Sequence, residues 1–242
     1  MSKMTKKMKK ICEIKSSLKD YKFNNLISIL NSFPKAKFNE NIDVAINLRI
    51  NTKKSDQNIR GSIILPNSIK KEKYIVVFAS GEDKKNAYEA GANLAGMEEV
   101  SDKIKNNKKL KIDHVISTPE AMPIVEKLGS ILGPKGLMPN PKLGTITKDI
   151  KNEIKKIKSG QLNYKNDKYG IIHTTIGKIN FNNLELKINL LYFLNHLVKT
   201  KPTNLKGVFI KKVSLSTTMG GSVIINHNEF LQENNISDNI KK

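Results

Sequence analysis

The spacing of apolar residues changes twice along the chain, and this change constrains the fold more than any other feature. Residues 42–50 alternate strictly, with isoleucine, valine or leucine at every even position, which predicts a strand with one buried and one wet face. Residues 73–79 form a continuous apolar run, as expected for a strand covered on both faces. From Gln161 onward the pattern again resembles that of the first segment, with half-buried strands. The middle of the chain is therefore predicted to be a unit inserted into a domain built from both ends.

The two ends of the chain, 1–66 and 160–242, together predict one domain with an antiparallel sheet backed by helices. Helical spacing that stops before prolines predicts its helices, and alternating patterns predict its strands. These elements cover 21–33, 42–50, 61–65, 184–199, 207–216 and 222–226, with a hairpin-like turn around 166–170. Outside this pattern, we predict that 1–10 is a solvated basic arm and 227–242 a disordered tail.

The middle segment, 67–159, predicts a parallel α/β domain. A strand and helices are followed by a second strand and helices, which is typical of a parallel sheet with helices on its faces. The predicted elements are strands at 73–79 and 114–117 and helices at 82–91, at 97–106, from about Pro119 and at 147–159. Before the last helix, 129–145 is rich in glycine and proline and is predicted to be a loop.

The excess of basic over acidic residues predicts a polyanionic partner. The chain has 43 lysines and arginines against 22 aspartates and glutamates, a formal net charge of +21. Neutralised phosphates release counterions, so nucleic acid is the favoured partner, although charge by itself does not separate RNA from DNA or a membrane surface. The segments outside 67–159 carry 25 basic and 10 acidic residues, against 18 and 12 inside. The discontinuous domain is therefore the better candidate for the main nucleic-acid surface.

The sequence carries no motif of an enzyme, a metal site or a membrane span. The spacings of a P-loop, of a dinucleotide-binding G-x-G-x-x-G and of a G-x-S-x-G nucleophile turn do not occur. One cysteine and four scattered histidines give no metal-ligand pattern, and no apolar run is long enough to span a bilayer. We therefore expect no catalytic residue, no metal, no cofactor and no membrane partner. An enzyme acting on RNA or on a nucleotide stays open as the alternative.

A long loop, LGPKGLMPNPKLGT at 132–145, is the first candidate for contact with nucleic acid. It presents Lys135 and Lys142, which can bind phosphates without reading sequence. The structural alternative is a stiff connector without a partner. Its length favours a function, because long loops without secondary structure are usually functional or disordered.

Two shorter polar segments and one phenylalanine are further candidates. SLSTTMGGS at 214–222 offers hydroxyls and backbone N–H groups to RNA, or it is a plain turn between strands. KSDQNIRG at 54–61 contains Arg60, which can bond bases or phosphates, or its short polar residues only shape a turn. Phe38 can stack on a base or belong to the core.

Five segments of the chain also carry a resemblance to one protein family. They are SDQNIRG at 55–61, GANLAGMEE at 91–99, GPKGLMPNPKLGTIT at 133–147, NDKYGIIHTTIGK at 166–178 and STTMG at 216–220. Together, and in this order, they resemble the bacterial-type ribosomal protein L-one family over about 21–226. The segment at 133–147 resembles the signature of that family almost without change.

The resemblance implies a fold and a function. The fold would be a discontinuous RNA-binding domain with an inserted Rossmann-like α/β domain, in agreement with the division at 66 and 160. The protein would bind large-subunit rRNA, form the mobile stalk beside the exit site of the ribosome and help deacylated tRNA leave. Similar bacterial proteins also repress translation by binding a mimic of the rRNA site in their own messenger RNA. We expect a monomer when free, in a bacterial cytoplasm rather than an organelle.

The resemblance also implies which residues bind RNA. Lys37 and Lys168 would meet phosphates, Thr218 and the Gly220 backbone would bond the ribose–phosphate chain, and Phe38 and Met219 would supply apolar contact. With Arg60 from the polar segment, the predicted RNA-binding residues are Lys37, Phe38, Arg60, Asp167, Lys168, His173, Lys212, Thr218, Met219 and Gly220, with Lys135 and Lys142 as a secondary contact.

Two positions depart from the pattern of the family. Gly221 stands where the family usually has proline after STTMG, and glycine loosens a turn. Lys212 stands where many relatives carry serine, which adds charge beside the expected site. We therefore expect a turn that is less rigid and more basic than in most relatives.

Overall fold

A computed structural model describes residues 5–17, 26–34, 36–68, 72–106, 111–205 and 207–225 of the 242-residue chain. Its α-helices are α1 (Lys6–Ser17), α2 (Leu26–Ser32), α3 (Gly81–Glu89), α4 (Glu98–Asn106), α5 (Met122–Glu126), α6 (Gly129–Leu132), α7 (Ile150–Lys158) and α8 (Asn183–Lys199). Its strands are β1 (Asn41–Leu48), β2 (Arg60–Ile64), β3 (Ile75–Phe78), β4 (Leu94–Gly96), β5 (His114–Ser117), β6 (Gln161–Lys165), β7 (Ile171–Lys178), β8 (Ile210–Thr217) and β9 (Ser222–Ile225). The predicted tail at 227–242 and the first part of the predicted helix at 21–33 lie outside the described residues.

The chain forms a mixed α/β structure with two compact units. The first unit takes the described residues of 1–59, 65–67 and 164–242, and the second takes those of 60–64 and 68–163. In the part of the chain that the structure describes, no helix is both long and apolar enough to cross a membrane.

The first unit is built on a four-stranded antiparallel sheet in the order β7-β1-β8-β9. In the centre of the sheet, Val44 of β1 lies opposite Thr174 on one side and Leu215 on the other. The even-numbered apolar residues of β1 are all buried, while the odd-numbered ones are exposed or half-buried. The predicted half-buried strand and the predicted antiparallel sheet are therefore confirmed.

Helix α8 packs an apolar face into the first unit. It begins with a capping box, in which the Asn182 backbone N–H donates to Glu185 Oε2 at 3.0 Å, and it ends before Pro202. Its buried apolar residues are Leu186, Leu190, Phe193, Leu194 and Leu197. Gly177 of β7 allows a close approach, because a Cβ at this position would overlap the Leu186 side chain. The helix predicted over 184–199 is confirmed.

A buried asparagine on α8 connects three elements of the first unit. The Asn189 side chain donates to the carbonyls of Asn67 at 2.8 Å and of Ile176 at 2.9 Å, and it accepts from the Asn67 backbone N–H at 3.0 Å. Asn189 has no exposed surface. Because polar backbone groups away from water need partners, this side chain holds the segment at Asn67 against α8 and β7.

We expect Asn189→Leu to lower the free energy of unfolding by roughly 1–3 kcal/mol, because it leaves the buried Ile176 carbonyl and the part-buried carbonyl and N–H of Asn67 without their partner. Urea unfolding followed by circular dichroism measures the change. Asn195→Leu, at a half-exposed position six residues further along α8, is the matched control and should change stability little. Equal effects of the two substitutions would contradict the role of Asn189.

The second unit is built on a three-stranded parallel sheet in the order β4-β3-β5. One face of β3 packs with residues of α3 and α7, and the other packs with residues of α4 and α5. All four residues of β3 are buried. The apolar run at 73–79 is thus confirmed as a strand that is covered on both faces, and the predicted parallel arrangement is confirmed with it.

Two predictions for the second unit were incomplete. The segment 129–145 is not a plain loop, because it contains α6 and a short 3-10 helix at Pro141–Leu143. The Asn140 side chain accepts from the Lys142 backbone N–H at 2.9 Å and so caps this 3-10 helix, while buried Leu143 anchors it. Strand β4 was not predicted, because three residues are too few to show an alternating pattern.

Two further predictions need correction. The segment at 61–65 is observed as a strand, β2, but it pairs with β6 in a separate two-stranded sheet. It does not join β1, because β7 and β8 occupy both edges of that strand. The predicted basic arm is helical from Lys6 onward, since buried Ile11 anchors α1.

Candidate nucleic-acid interface

The turn between β8 and β9 is fixed by hydrogen bonds to the start of β1. The Thr218 backbone N–H donates to the Asn41 carbonyl at 3.1 Å, and the Thr218 hydroxyl accepts from the Asn41 N–H at 3.1 Å. The Gly220 N–H donates to the Thr217 carbonyl at 3.2 Å. A Cβ on Gly220 would overlap the Thr217 hydroxyl, so glycine is required by space. These bonds hold the turn in place although Gly221 stands where the family usually has proline.

A buried carboxylate joins this turn to the segment that precedes β1. Glu40 is 1% exposed, and its oxygens accept from the Ala36 N–H at 2.6 Å and from the Met219 N–H at 3.0 Å. The Thr217 hydroxyl is a further partner. Burial raises the pKa of Glu40, but the hydrogen bonds from Met219, Ala36 and Thr217 outweigh it, so the pKa lies below its ordinary value of 4.5. Glu40 therefore remains an anion and positions both segments.

The depressed pKa of Glu40 predicts a loss of stability in acid. Because the folded pKa lies below the unfolded one, the carboxylate contributes stability above about pH 4.5 and loses it as the pH falls through the folded pKa. We expect the difference in unfolding free energy between the natural protein and Glu40→Gln to be largest near neutral pH and to shrink below about pH 4.5. Urea titrations at a series of pH values measure it, and a difference independent of pH would contradict this assignment.

Five of the predicted residues meet at this end of the sheet. Phe38 is 56% exposed and Met219 is 58% exposed, so neither belongs to the core. Lys37 and Thr218 are exposed beside them. We call Lys37, Phe38, Thr218, Met219 and Gly220 the Glu40-linked surface. It combines a cation, two apolar side chains, a hydroxyl and a backbone in one fixed arrangement, which suits the ribose–phosphate chain and bases of RNA.

Of four other predicted residues, Asp167, Lys168 and Lys212 lie toward the opposite end of the same sheet, and His173 lies nearer its middle. Lys168 stands in the turn before β7, His173 lies opposite Ala45, and Lys212 lies opposite Asn47. Asn41 and Asn47 are six residues apart on β1, which corresponds to about 20 Å. The structure therefore separates Asp167, Lys168 and Lys212 from the Glu40-linked surface, while His173, opposite Ala45, lies at an intermediate position along the strand.

Asp167 is occupied by its own turn. Its Oδ1 accepts from the backbone N–H groups of Tyr169 and Ile171, both at 2.8 Å, and His173 Nε2 lies 3.7 Å from its Oδ2. The bond from Ile171 is the largest cause of a lowered pKa, and the bond from Tyr169 and the neighbouring His173 act in the same direction against burial. Asp167 thus shapes the turn through Oδ1, whereas Oδ2 faces His173 and can still accept a bond.

The remaining predicted residues belong to the second unit. Arg60 is half-buried at the start of β2. Lys135 is exposed in a turn closed by the Gly136 N–H on the Gly133 carbonyl at 2.9 Å, with Gly136 at a φ of +70°. Lys142 is exposed in the 3-10 helix. Both lysines are therefore presented on ordered backbone.

Sequence reasoning missed Glu40 and Thr217. A single glutamate in the basic segment KAKFNENID carries no signal of its burial, and Thr217 resembles any strand residue. Their role depends on contacts between residues about 180 positions apart in the chain, such as Glu40 with Met219. Among the described residues, no group of three or more histidine, cysteine, aspartate or glutamate side chains could hold a metal ion.

Comparison with known proteins agrees with the resemblance. Residues 30–221 match the model of the Ribosomal protein L1p/L10e family. The "Large ribosomal subunit protein uL1" of Pasteurella multocida is 52% identical over 225 residues, covering 93% of this chain and 98% of the relative. The proteins of that name from Haemophilus influenzae, at 51% over 93% and 98%, and from Aliivibrio salmonicida, at 49% over 92% and 95%, are similar throughout. The chain therefore belongs to the Ribosomal protein L1p/L10e family.

Proposed function

We propose that this protein is a structural constituent of the large ribosomal subunit that binds large-subunit rRNA through the Glu40-linked surface. The carrying observation is the buried Glu40 carboxylate, which holds two chain segments so that Phe38 and Met219 remain exposed. Burial of an anion costs free energy, and its use to order exposed apolar residues indicates a binding surface.

The mechanism of recognition is contact with folded RNA by shape. Lys37 binds a phosphate, Thr218 and the Gly220 backbone bond the ribose–phosphate chain, and Phe38 and Met219 pack on sugars or bases. Lys212 and Lys168 extend the positive surface along the sheet, and His173 adds an exposed imidazole ring. Since the two segments are already ordered in the free protein, binding avoids the entropy cost of ordering them.

The difference in charge between the two predicted domains supports different roles for them. We propose that 1–66 and 160–242 form the rRNA-binding domain and that 67–159 form the inserted Rossmann-like domain. Chain connections between domains can act as a hinge. The protein and its rRNA would then form the mobile stalk near the exit site and assist the release of deacylated tRNA. Arg60 is a further RNA contact in this proposal, and Lys135 and Lys142 are the secondary ones.

A second role uses the same surface. A mimic of the rRNA site in the leader of the protein's own messenger RNA would compete for the Glu40-linked surface and repress translation. The proteins of the large subunit named above come from bacteria, which supports a bacterial cytoplasmic ribosome as the location. We propose a monomer in the free state and no catalytic activity.

Rebinding to ribosomal subunits tests the proposed function. The purified protein is added to large subunits from which this family member has been removed, and co-sedimentation is measured against small subunits as the control. We expect one protein per large subunit and none on small subunits. In a competition experiment, we expect a stalk rRNA fragment to displace the protein's own messenger leader from the protein. Equal binding to both subunits would contradict the proposal.

A further inference from the structure

An aromatic side chain stands out from the turn between β6 and β7. Tyr169 is 73% exposed, although exposure of so large an apolar ring is unfavourable without a partner. Among the described residues, the hydrogen bonds that fix the turn do not involve this ring. The surroundings of Tyr169 are therefore a candidate binding site.

The turn that carries Tyr169 is rigid. Asp167 accepts from the N–H groups of Tyr169 and Ile171, and the Gly170 N–H donates to the Asp167 carbonyl at 3.1 Å. Gly170 has a φ of +76°, which favours glycine, and its carbonyl accepts from the Leu48 N–H at 2.9 Å. The ring of Tyr169 is thus presented on fixed backbone, as a stacking platform requires.

A second basic segment is attached to this turn. The Thr52 hydroxyl donates to the Lys168 carbonyl at 2.8 Å. Asn166 exchanges bonds with the Ile59 backbone, and its side-chain amide donates to Asn58 Oδ1 at 3.2 Å. Lys53 and Lys54 follow Thr52 directly and are exposed. Together, 49–58 and 164–170 carry five basic and two acidic residues, and one of those acids, Asp167, is engaged by backbone N–H groups.

The geometry points to a second nucleic-acid site, in which Tyr169 stacks on an unpaired nucleobase of RNA while Lys53, Lys54 and Lys168 bind the neighbouring phosphates. Lys168 Nζ lies 5.0 Å from the centre of the Tyr169 ring, so a cation already sits at the platform. An aromatic ring flanked by lysines is the combination that binds single-stranded nucleic acid without strong sequence preference. The choice of RNA rests on the proposed function.

This site is distinct from the Glu40-linked surface. The turn at 166–170 lies beside the end of β1, whereas Glu40 lies before its start, a separation of about 20 Å along the strand. An unpaired nucleotide at Tyr169 can therefore come from a remote part of the same rRNA or from a second RNA. Both sources offer the same chemistry, a free base between phosphates.

Binding of a labelled oligouridylate of eight nucleotides, followed by fluorescence anisotropy, tests the site. We expect Tyr169→Ala to weaken this binding roughly 5- to 100-fold, because stacking on an aromatic ring is lost. Tyr169→Phe keeps the ring and should bind as the natural protein does. Tyr192→Ala is the matched control, since Tyr192 is 48% exposed on α8, and it should change nothing. A 4-thiouridine version of the oligonucleotide should crosslink to the peptide that contains Tyr169.

The same variants decide the source of the nucleotide. Weaker binding of Tyr169→Ala to the stalk rRNA fragment would assign both sites to one RNA, and unchanged binding would assign Tyr169 to a second RNA. Equal affinity of the natural protein and Tyr169→Ala for the oligouridylate, or crosslinks only elsewhere, would overturn the site. Failure of the natural protein to bind the stalk fragment, with oligouridylate binding intact, would instead contradict the proposed function.

Discussion

Glu40→Ala should lower the free energy of unfolding by roughly 3 kcal/mol and weaken binding to a stalk rRNA fragment by about tenfold or more. The substitution leaves the backbone N–H groups of Ala36 and Met219 without their charged acceptor in a buried place. Hydrogen bonds to charged groups contribute about 1.5–3 kcal/mol each. The affinity falls because RNA must then order the segments that the free protein now holds ready.

Urea unfolding and filter binding measure the two effects of Glu40→Ala. Glu40→Gln keeps one acceptor oxygen and should show a smaller loss of both stability and affinity. Glu126→Ala removes an exposed glutamate from α5 in the second unit and is the matched control, with no change expected in either measurement. Normal affinity of a folded Glu40→Ala protein would show that Glu40 does not contribute to RNA binding.

Met219→Ala should weaken rRNA binding by about 1–3 kcal/mol without unfolding the protein, and Thr218→Ala should act in the same direction. Met219 is 58% exposed, so its loss creates no cavity in the core. Thr218 also bonds Asn41, and a small loss of stability is expected from its substitution. Titration of the RNA fragment, with melting curves of each variant, separates binding from folding.

Ile224→Ala is the control for Met219→Ala. Ile224 is also an exposed apolar residue, on the neighbouring strand β9, but it lies outside the Glu40-linked surface. Its substitution should leave rRNA affinity unchanged. Equal losses from both substitutions would mean that exposed apolar area in general, and not the Met219 position, contributes to binding.

The larger elements of the fold were predictable because their apolar spacing is long and regular. The alternation in β1 and the helical spacing of α8 each extend over several periods, so packing and sequence agree. The short elements could not be predicted, because β4 has only three residues and α6 only four. The prediction of the sheet that β2 joins was also wrong, since pairing depends on which strand edges are already occupied by other strands.

The candidate site was only partly predictable. Thr218, Met219 and Phe38 were chosen through resemblance, and the structure brings them together. The residue that holds them, Glu40, could not be found, because a buried carboxylate satisfied by distant N–H groups leaves no pattern in sequence. Asp167 shows a second limit: the sequence did not reveal that it shapes its own turn, and its contact with RNA stays a prediction.

The most direct test of the central claim is the binding of the purified protein to a fragment of large-subunit rRNA carrying the stalk, compared with tRNA and random duplex RNA across a salt series. We expect tight binding to the stalk fragment that persists at moderate salt and is selective over the other two RNAs. We expect this binding to weaken in Met219→Ala. Weak binding that is equal for all three RNAs and collapses as salt rises would show pure attraction to phosphates. That result would contradict recognition of rRNA by the Glu40-linked surface.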